Sequence, residues 1–152
     1  MNEIFLIKDQ LEKAFYGCAW HGPSVIEVLN GISSDKAIAK PINGAHSIWD
    51  IVLHISAWQN AVFRRLHGDP ANLTDEEDWQ QATDASEAAW AKDLSDLRQN
   101  MDKLIGIVGE FDQSKLIEKA AGQNYSNYFM LHGLVQHNAY HAGQIALLKK
   151  AL

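Results

Sequence analysis

Apolar residues recur at helical spacing along most of the chain, and the strict alternation of a half-exposed strand is almost absent. This pattern predicts four long helices, spanning about Glu3 to Leu29, Ser47 to Leu66, Asp84 to Val108, and Ser126 or Asn127 to Lys150. We expect Gly17 and Gly22-Pro23 to break or kink the first helix, because proline lacks an N–H and clashes with the preceding turn. Four such helices in 152 residues indicate an all-α fold, a four-helix bundle in which residues 1–152 form a single domain.

Two less regular segments join the predicted helices. A polar connection runs from Asp69 to about Thr83, and an irregular segment spans Gly109 to Tyr125. In the polar connection Thr74 precedes Glu77 by three residues, which is the spacing of a helix capping box. We therefore expect a short helix within this connection.

Charge argues against nucleic acid and anionic membranes as partners. The formal net charge is -6, and the longest charge cluster, "TDEEDW" at 74–79, is acidic. Affinity for a duplex comes largely from basic residues that neutralise phosphates, and the chain has no run of lysine and arginine.

The chain is expected to be cytoplasmic. Its N-terminal apolar stretch is short and interrupted by Glu3, Lys8 and Asp9, unlike a signal peptide. No stretch approaches the roughly 18 to 20 apolar residues of a membrane span. Cys18 is the single cysteine, so no internal disulfide can form.

The candidate chemistry lies near the C-terminus, where "VQHNAYHAGQI" places His137 and His141 four residues apart. A helix turns about 100° per residue, so both rings project from one face and can share a metal ion. They occupy the middle of an apolar stripe formed by Met130, Leu134, His137, His141, Ile145 and Leu148. Buried imidazoles need partners, and a shared metal would supply them. Two core histidines that hydrogen-bond to neighbours are the alternative.

A third ligand is expected from the second helix. His54 lies in the middle of the apolar stripe Ile51, His54, Ile55, Trp58 and Val62. A single histidine there is typical of a core residue, but three histidines on the inward faces of two helices predict a metal site on His54, His137 and His141. Asp50, one turn before His54, is a candidate hydrogen-bond acceptor for its ring. The alternative for Asp50 is a solvated residue favoured by the helix dipole.

Other histidines are expected outside this site. His132 is about 180° around the helix from His141. His46, eight residues before His54, would lie about 12 Å away along the helix axis, too far to share the metal but able to line the rim of a pocket. His21 sits at the expected kink of the first helix and is a further pocket candidate.

The stretches "AWHGPSVIEVL", "GAHSIWDIVLHISAW" and "LHGLVQHNAYHAGQIALLKK" resemble the DinB/YfiT-like superfamily of metalloenzymes, in the right order over nearly the whole chain. The resemblance implies a four-helix bundle with a three-histidine metal site whose ligands fall on His54, His137 and His141. It also implies a homodimer and a small-molecule substrate, without DNA binding. Some relatives are thiol transferases or isomerases that use bacillithiol or mycothiol, and others are metal-dependent hydrolases.

Two chemistries would follow at an open metal position. A bound low-molecular-weight thiol would become a thiolate nucleophile that attacks a small electrophile. A bound water would instead have its pKa lowered and act in hydrolysis, which needs a general base such as Glu27, Asp50 or His46. Residue 138 is asparagine, so the HExxH of one class of zinc proteases is absent. Thiol-dependent S-transfer, which needs less from the protein, is the preferred prediction, and the sequence names no catalytic residue.

The sequence is compatible with more than one metal and more than one role for the site. Zinc suits three imidazoles, but nickel, iron and copper also accept them. Cys18 would close the site and make it structural if it faced the metal. A module that binds a metal or a small ligand without catalysis is the alternative to an enzyme. Four aromatic residues are expected either in the core or on the wall of a pocket: Trp20, Trp49, Trp58 and Tyr140.

Overall fold

A computed structural model describes residues 2–152. Its helices, in chain order, are α1 (Glu3–Tyr16), α2 (Val25–Leu29), α3 (Ser34–Ile38), α4 (Ile48–Leu66), α5 (Asp75–Asp78), α6 (Glu87–Glu110) and α7 (Asn127–Ala151), with a 3-10 turn at Gln113–Ile117 between α6 and α7. Within these residues there is no strand, only an isolated bridge between Lys119 and Ser126. The predicted all-α fold is confirmed.

The long helices α1, α4, α6 and α7 form a four-helix bundle. α4 packs against α6 and α7, and α1 packs against the same two helices from the opposite corner. The predicted stripes face the interior. Fully buried side chains include Leu11, Ile55, Leu97, Met101 and Ile145. The short helices cover the bundle: α2 packs on α1 and α7, α3 on α4 and α6, and α5 on α4.

The first predicted helix is broken, which is one of the two outcomes expected at Gly17 and Gly22-Pro23. α1 ends at Tyr16, and the chain leaves helical geometry before α2 begins at Val25. Gly17 and Cys18 have φ values of 146° and 66°, which a right-handed helix does not allow. Ser24 then starts α2 with a capping box. The backbone is therefore interrupted rather than bent.

Caps define where the helices that carry the site begin. The side chain of Ser47 accepts a hydrogen bond from the backbone N–H of Asp50, and α4 starts at Ile48, the residue after Ser47. Thr74 and Glu77 form the predicted capping box, and the short helix expected in the polar connection is α5. In the described part of the chain, no helix is long and apolar enough to cross a membrane.

Candidate metal centre

Three histidines meet between α4 and α7. His54 comes from the middle of α4, and His137 and His141 come from successive turns of α7, which packs against α4. The Nε2 atom of His137 is 3.0 Å from Nε2 of His54 and 3.1 Å from Nε2 of His141. His54 and His141 are 6% and 3% exposed, so this convergence lies inside the bundle.

The spacing of these nitrogens fits a metal ion. All three potential ligand atoms lie within 4.8 Å of one another, and among residues 2–152 no other histidine, cysteine, aspartate or glutamate belongs to such a group. Zinc binds imidazole nitrogen at about 2.0 to 2.1 Å, so two nitrogens on one tetrahedral ion are about 3.3 Å apart. The three-histidine cluster can therefore hold a divalent metal.

Two of the rings, those of His54 and His141, form hydrogen bonds through Nδ1, and this leaves a lone pair on Nε2 that faces the other histidines. Nδ1 of His54 lies 2.9 Å from both the backbone oxygen and Oδ1 of Asp78, and Nδ1 of His141 lies 2.6 Å from Oε1 of Gln144. These oxygens only accept, so each Nδ1 carries the proton and each Nε2 keeps a free lone pair. Nδ1 of His137 has no protein partner among the described residues.

Burial keeps the three rings neutral at pH 7. It lowers the pKa of His137 to about 3, helped by repulsion from His141 and His54. It lowers the pKa of His141 to about 4, against the opposing effect of the hydrogen bond that this ring donates to Gln144. Burial also lowers the pKa of His54, although Asp78 opposes this shift. Neutral imidazoles are the form that metals bind.

Asp50 was predicted as a hydrogen-bond acceptor for the His54 ring, but it does not contact that ring. Its carboxylate accepts the backbone N–H of Ser47 at 3.0 Å and pairs with Lys40 at 3.1 Å. It is not a solvated residue either, since it is 4% exposed. The capping box holds Asp50 at the start of α4, while Asp78, which the sequence did not indicate, contacts His54.

Trp79 was also missed by the sequence prediction. Its ring stacks on His54 at a centroid distance of 3.8 Å and an angle of 8°, and on His46 at 3.6 Å and 6°. It thus separates the two histidines, and His46 lines a cavity with Gln144 that is distinct from the cavity lined by His54 and His137. The sequence did contain a signal for this contact. Trp79 ends the acidic run at 74–79, and a tryptophan among solvated acids is expected to pack against another part of the protein.

A cavity of about 370 Å³ opens onto the cluster. Its lining is mainly apolar, with a few polar side chains: His54, Trp58, Val62, Arg65, Asp78, Tyr125, Phe129, Met130, Gly133, Leu134 and His137. Trp58, predicted as a core or pocket residue, lines this cavity and donates its indole N–H to Oδ1 of Asp78 at 2.6 Å. The cavity therefore gives small molecules access to two of the three histidines.

Other predicted site residues lie elsewhere. His21 is exposed in the interruption between α1 and α2, and Cys18 is exposed and outside the three-histidine cluster. His132 lies 3.4 Å from a carboxylate oxygen of Glu3, away from the cluster as predicted. Among the other aromatics, Trp49 is buried in the core, whereas Trp20 and Tyr140 are exposed.

The fold and the site define a helical bundle with an interhelical three-histidine centre that is reached from an apolar pocket. The chain belongs to the DinB superfamily, whose sequence model matches residues 20–145. This match confirms the resemblance and includes all three histidines as well as Asp78 and Trp79. No curated protein and no solved structure matches the chain.

Proposed function

We propose that the chain binds one divalent metal ion, zinc in the first instance, through His54, His137 and His141, and that it transfers a thiol to a small electrophile. The convergence of three Nε2 atoms at 3.0 and 3.1 Å carries this proposal. Asp78 and Gln144 hold the proton on Nδ1 of His54 and of His141, so Nε2 of each ring keeps a free lone pair. A cation would be a favourable partner for both lone pairs. A metal held there would lower the pKa of a thiol and supply a thiolate nucleophile.

The pocket supports thiol transfer over hydrolysis. Hydrolysis needs a general base near the metal. Glu27, Asp50 and His46 do not line the pocket, and Glu27 and Asp50 are engaged in helix caps. Asp78 is the carboxylate in the lining, but its Oδ1 already contacts the N–H groups of Trp58 and His54. A thiol needs no such base, because the metal itself favours loss of its proton.

The apolar lining would bind and orient the electrophile. Val62, Phe129, Met130 and Leu134 provide aliphatic and aromatic surface beside the histidines and limit the access of water. In the proposed step a bond forms between sulfur and the electrophilic carbon, the bond to the leaving group breaks, and its electron pair leaves with that group. The thiol proton goes to solvent.

Metal content tests the site. Untagged protein is expected to contain about one metal ion per chain, as a single three-histidine centre requires. His54→Ala, His137→Ala and His141→Ala should each lose it. His132→Ala is the matched control, because His132 lies on α7 but outside the cluster. Full metal retained in His54→Ala would refute the interhelical site.

Activity is tested on the metal-loaded protein with a thiol and an aryl halide. Thioether formation should be faster than with metal-free protein or with His137→Ala. Ester cleavage without thioether formation would instead favour the hydrolase alternative, and metal binding without either would favour a binding module. The homodimer implied by the resemblance stays a prediction, which sedimentation would test.

A further inference from the structure

Arg65 is a buried cation without a carboxylate partner. It is 5% exposed and lines the same pocket as His54 and His137. Within residues 2–152, no aspartate or glutamate lies within ion-pairing distance of it. The neighbouring Arg64 differs, because it is exposed and pairs with Asp69 at 2.7 Å. The nearest acid in sequence is thus used by the surface arginine, and the buried one is left without a counter-charge.

Neutral groups satisfy only part of the Arg65 guanidinium. Its Nε donates to the backbone oxygen of Pro70 at 3.0 Å, and its two terminal nitrogens donate to Ala71 O at 3.1 Å and to the hydroxyl of Tyr125 at 2.8 Å. A guanidinium has five N–H groups, so one on each terminal nitrogen has no assigned acceptor. These contacts hold the turn after α4, and the face of the Trp58 ring adds a cation–π contact 5.4 Å from the guanidinium carbon, but no anionic group balances the positive charge.

The position of Arg65 sets an upper limit on the length of a ligand that would reach both ends of the pocket. Its guanidinium carbon is 5.4 Å from the centroid of the Trp58 ring, and that centroid is 6.2 Å from the centroid of His137. The guanidinium is therefore at most about 12 Å from the His137 ring. Side chains such as Val62 and Phe129 line the same pocket. A molecule with an apolar middle of up to about six carbons is within this limit.

We propose that Arg65 binds a carboxylate of the ligand that occupies this pocket, while the opposite end of the ligand points to the three-histidine cluster. The planar fork of an arginine suits a carboxylate, and an anion would supply the missing counter-charge. The position of the opposite end rests on the proposed function, whereas carboxylate binding by Arg65 does not require a metal.

The first test uses metal-free protein, so that it is independent of the metal proposal. Hexanoate and hexan-1-ol share the apolar chain and differ in the charged group. Hexanoate is expected to raise the midpoint of thermal unfolding of wild-type protein more than hexan-1-ol does. This preference should persist in Arg64→Gln and vanish in Arg65→Gln, while hexan-1-ol acts equally on all three. Equal effects of both compounds on wild-type protein would overturn the assignment.

The second test uses cobalt-loaded protein with 6-mercaptohexanoate and 6-mercaptohexan-1-ol, followed by the thiolate absorption of the cobalt. The acid should bind about tenfold to a hundredfold more tightly, as a hydrogen bond to a charged group allows. General attraction of an anion to the metal would persist in Arg65→Gln, so only a preference lost in that variant supports the proposal. Equal binding of the two thiols refutes the role of Arg65 alone. Absence of cobalt binding, with a hexanoate preference in the first test, refutes the metal site alone.

The hydrogen bonds of Arg65 to the turn make Arg65→Gln prone to unfolding. Arg65→Lys keeps the positive charge and loses the fork, so it should retain a reduced preference for the acid. If Arg65→Gln does not fold, the preference for the acid over the alcohol is compared among the wild-type, Arg64→Gln and Arg65→Lys proteins. A preference as strong in Arg65→Lys as in the wild type would overturn a bidentate carboxylate site.

Discussion

Replacing Asp78 with alanine should weaken metal binding about tenfold. Its Oδ1 lies 2.9 Å from Nδ1 of His54 and helps fix the proton on that nitrogen. Loss of such a partner of a metal-binding histidine typically reduces affinity about 10- to 100-fold. The backbone oxygen of Asp78 also lies 2.9 Å from the same Nδ1 and survives the substitution, so the lower end applies. Tenfold corresponds to about 1.4 kcal/mol.

Asp50→Ala is the matched control, because Asp50 is the acid that sequence spacing placed beside His54. Its carboxylate accepts the backbone N–H of Ser47, which is fully buried. Leaving that donor unpaired should lower the free energy of unfolding by about 1 to 3 kcal/mol. The same change should leave metal affinity untouched, because the carboxylate has no contact with the cluster. The two variants therefore separate a helix cap from a partner of the site.

Both quantities can be measured on the same preparations. Competition with a chromophoric zinc chelator gives metal affinity, and urea unfolding of the metal-free protein gives stability. Asp78→Ala should lower the metal affinity and should also lower the free energy of unfolding by about 1 kcal/mol, because the partly buried indole N–H of Trp58 loses its acceptor. Equal metal affinity of Asp78→Ala and wild type, or a larger loss in Asp50→Ala, would refute the assignment of Asp78 as the partner of His54.

Three further predictions concern the surroundings of the site and the core. Trp79→Leu removes the stack on His54, worth about 0.5 to 1.5 kcal/mol for an aromatic pair, so chelator competition should show metal affinity about two- to tenfold lower. Gln59 is fully buried, and its amide has no hydrogen-bond partner within residues 2–152. Gln59→Met should therefore stabilise the protein by about 1 kcal/mol and raise the midpoint of thermal unfolding by about 2 to 4 °C. Calorimetry measures this midpoint, and a lower value in the variant would contradict the prediction. Metal at about 100 times its Kd should add about 2.7 kcal/mol to the stability of wild-type protein and nothing to His137→Ala, which thermal scans with and without metal would check.

The sequence was sufficient for the features that repeat along a helix. The stripe around His54 and the spacing of His137 and His141 placed all three rings on inward faces, and the fold brings those faces together. The start of α4 was also predictable, because Ser47 is a strong N-cap immediately before an apolar run. Both kinds of feature depend on residues that are close in sequence, so no knowledge of the tertiary arrangement is needed.

Features set by backbone geometry or by long-range packing were not predictable in this way. The sequence placed a break or a kink at Gly17 without choosing between them, and the positive φ values of Gly17 and Cys18 show that the helix ends there. Asp78 lies 24 residues from the histidine it contacts, in a segment whose composition resembles an ordinary solvated loop. Arg65 is different. It follows His54 by eleven residues, about three turns, so the helical period places both on one face, and a cation there was a signal of the pocket.

The connection between α4 and α6 organises both ends of the pocket. Its first residues, Pro70 and Ala71, accept hydrogen bonds from Arg65, and its later residues, Asp78 and Trp79, contact His54. Because α5 buries none of its own residues, its position depends on these contacts and on its cap rather than on a core of its own. A ligand that bridges Arg65 and the histidines would therefore bind between two fixed points of one otherwise exposed segment. The same contacts that orient His54 for a metal would thus also shape the pocket for that ligand.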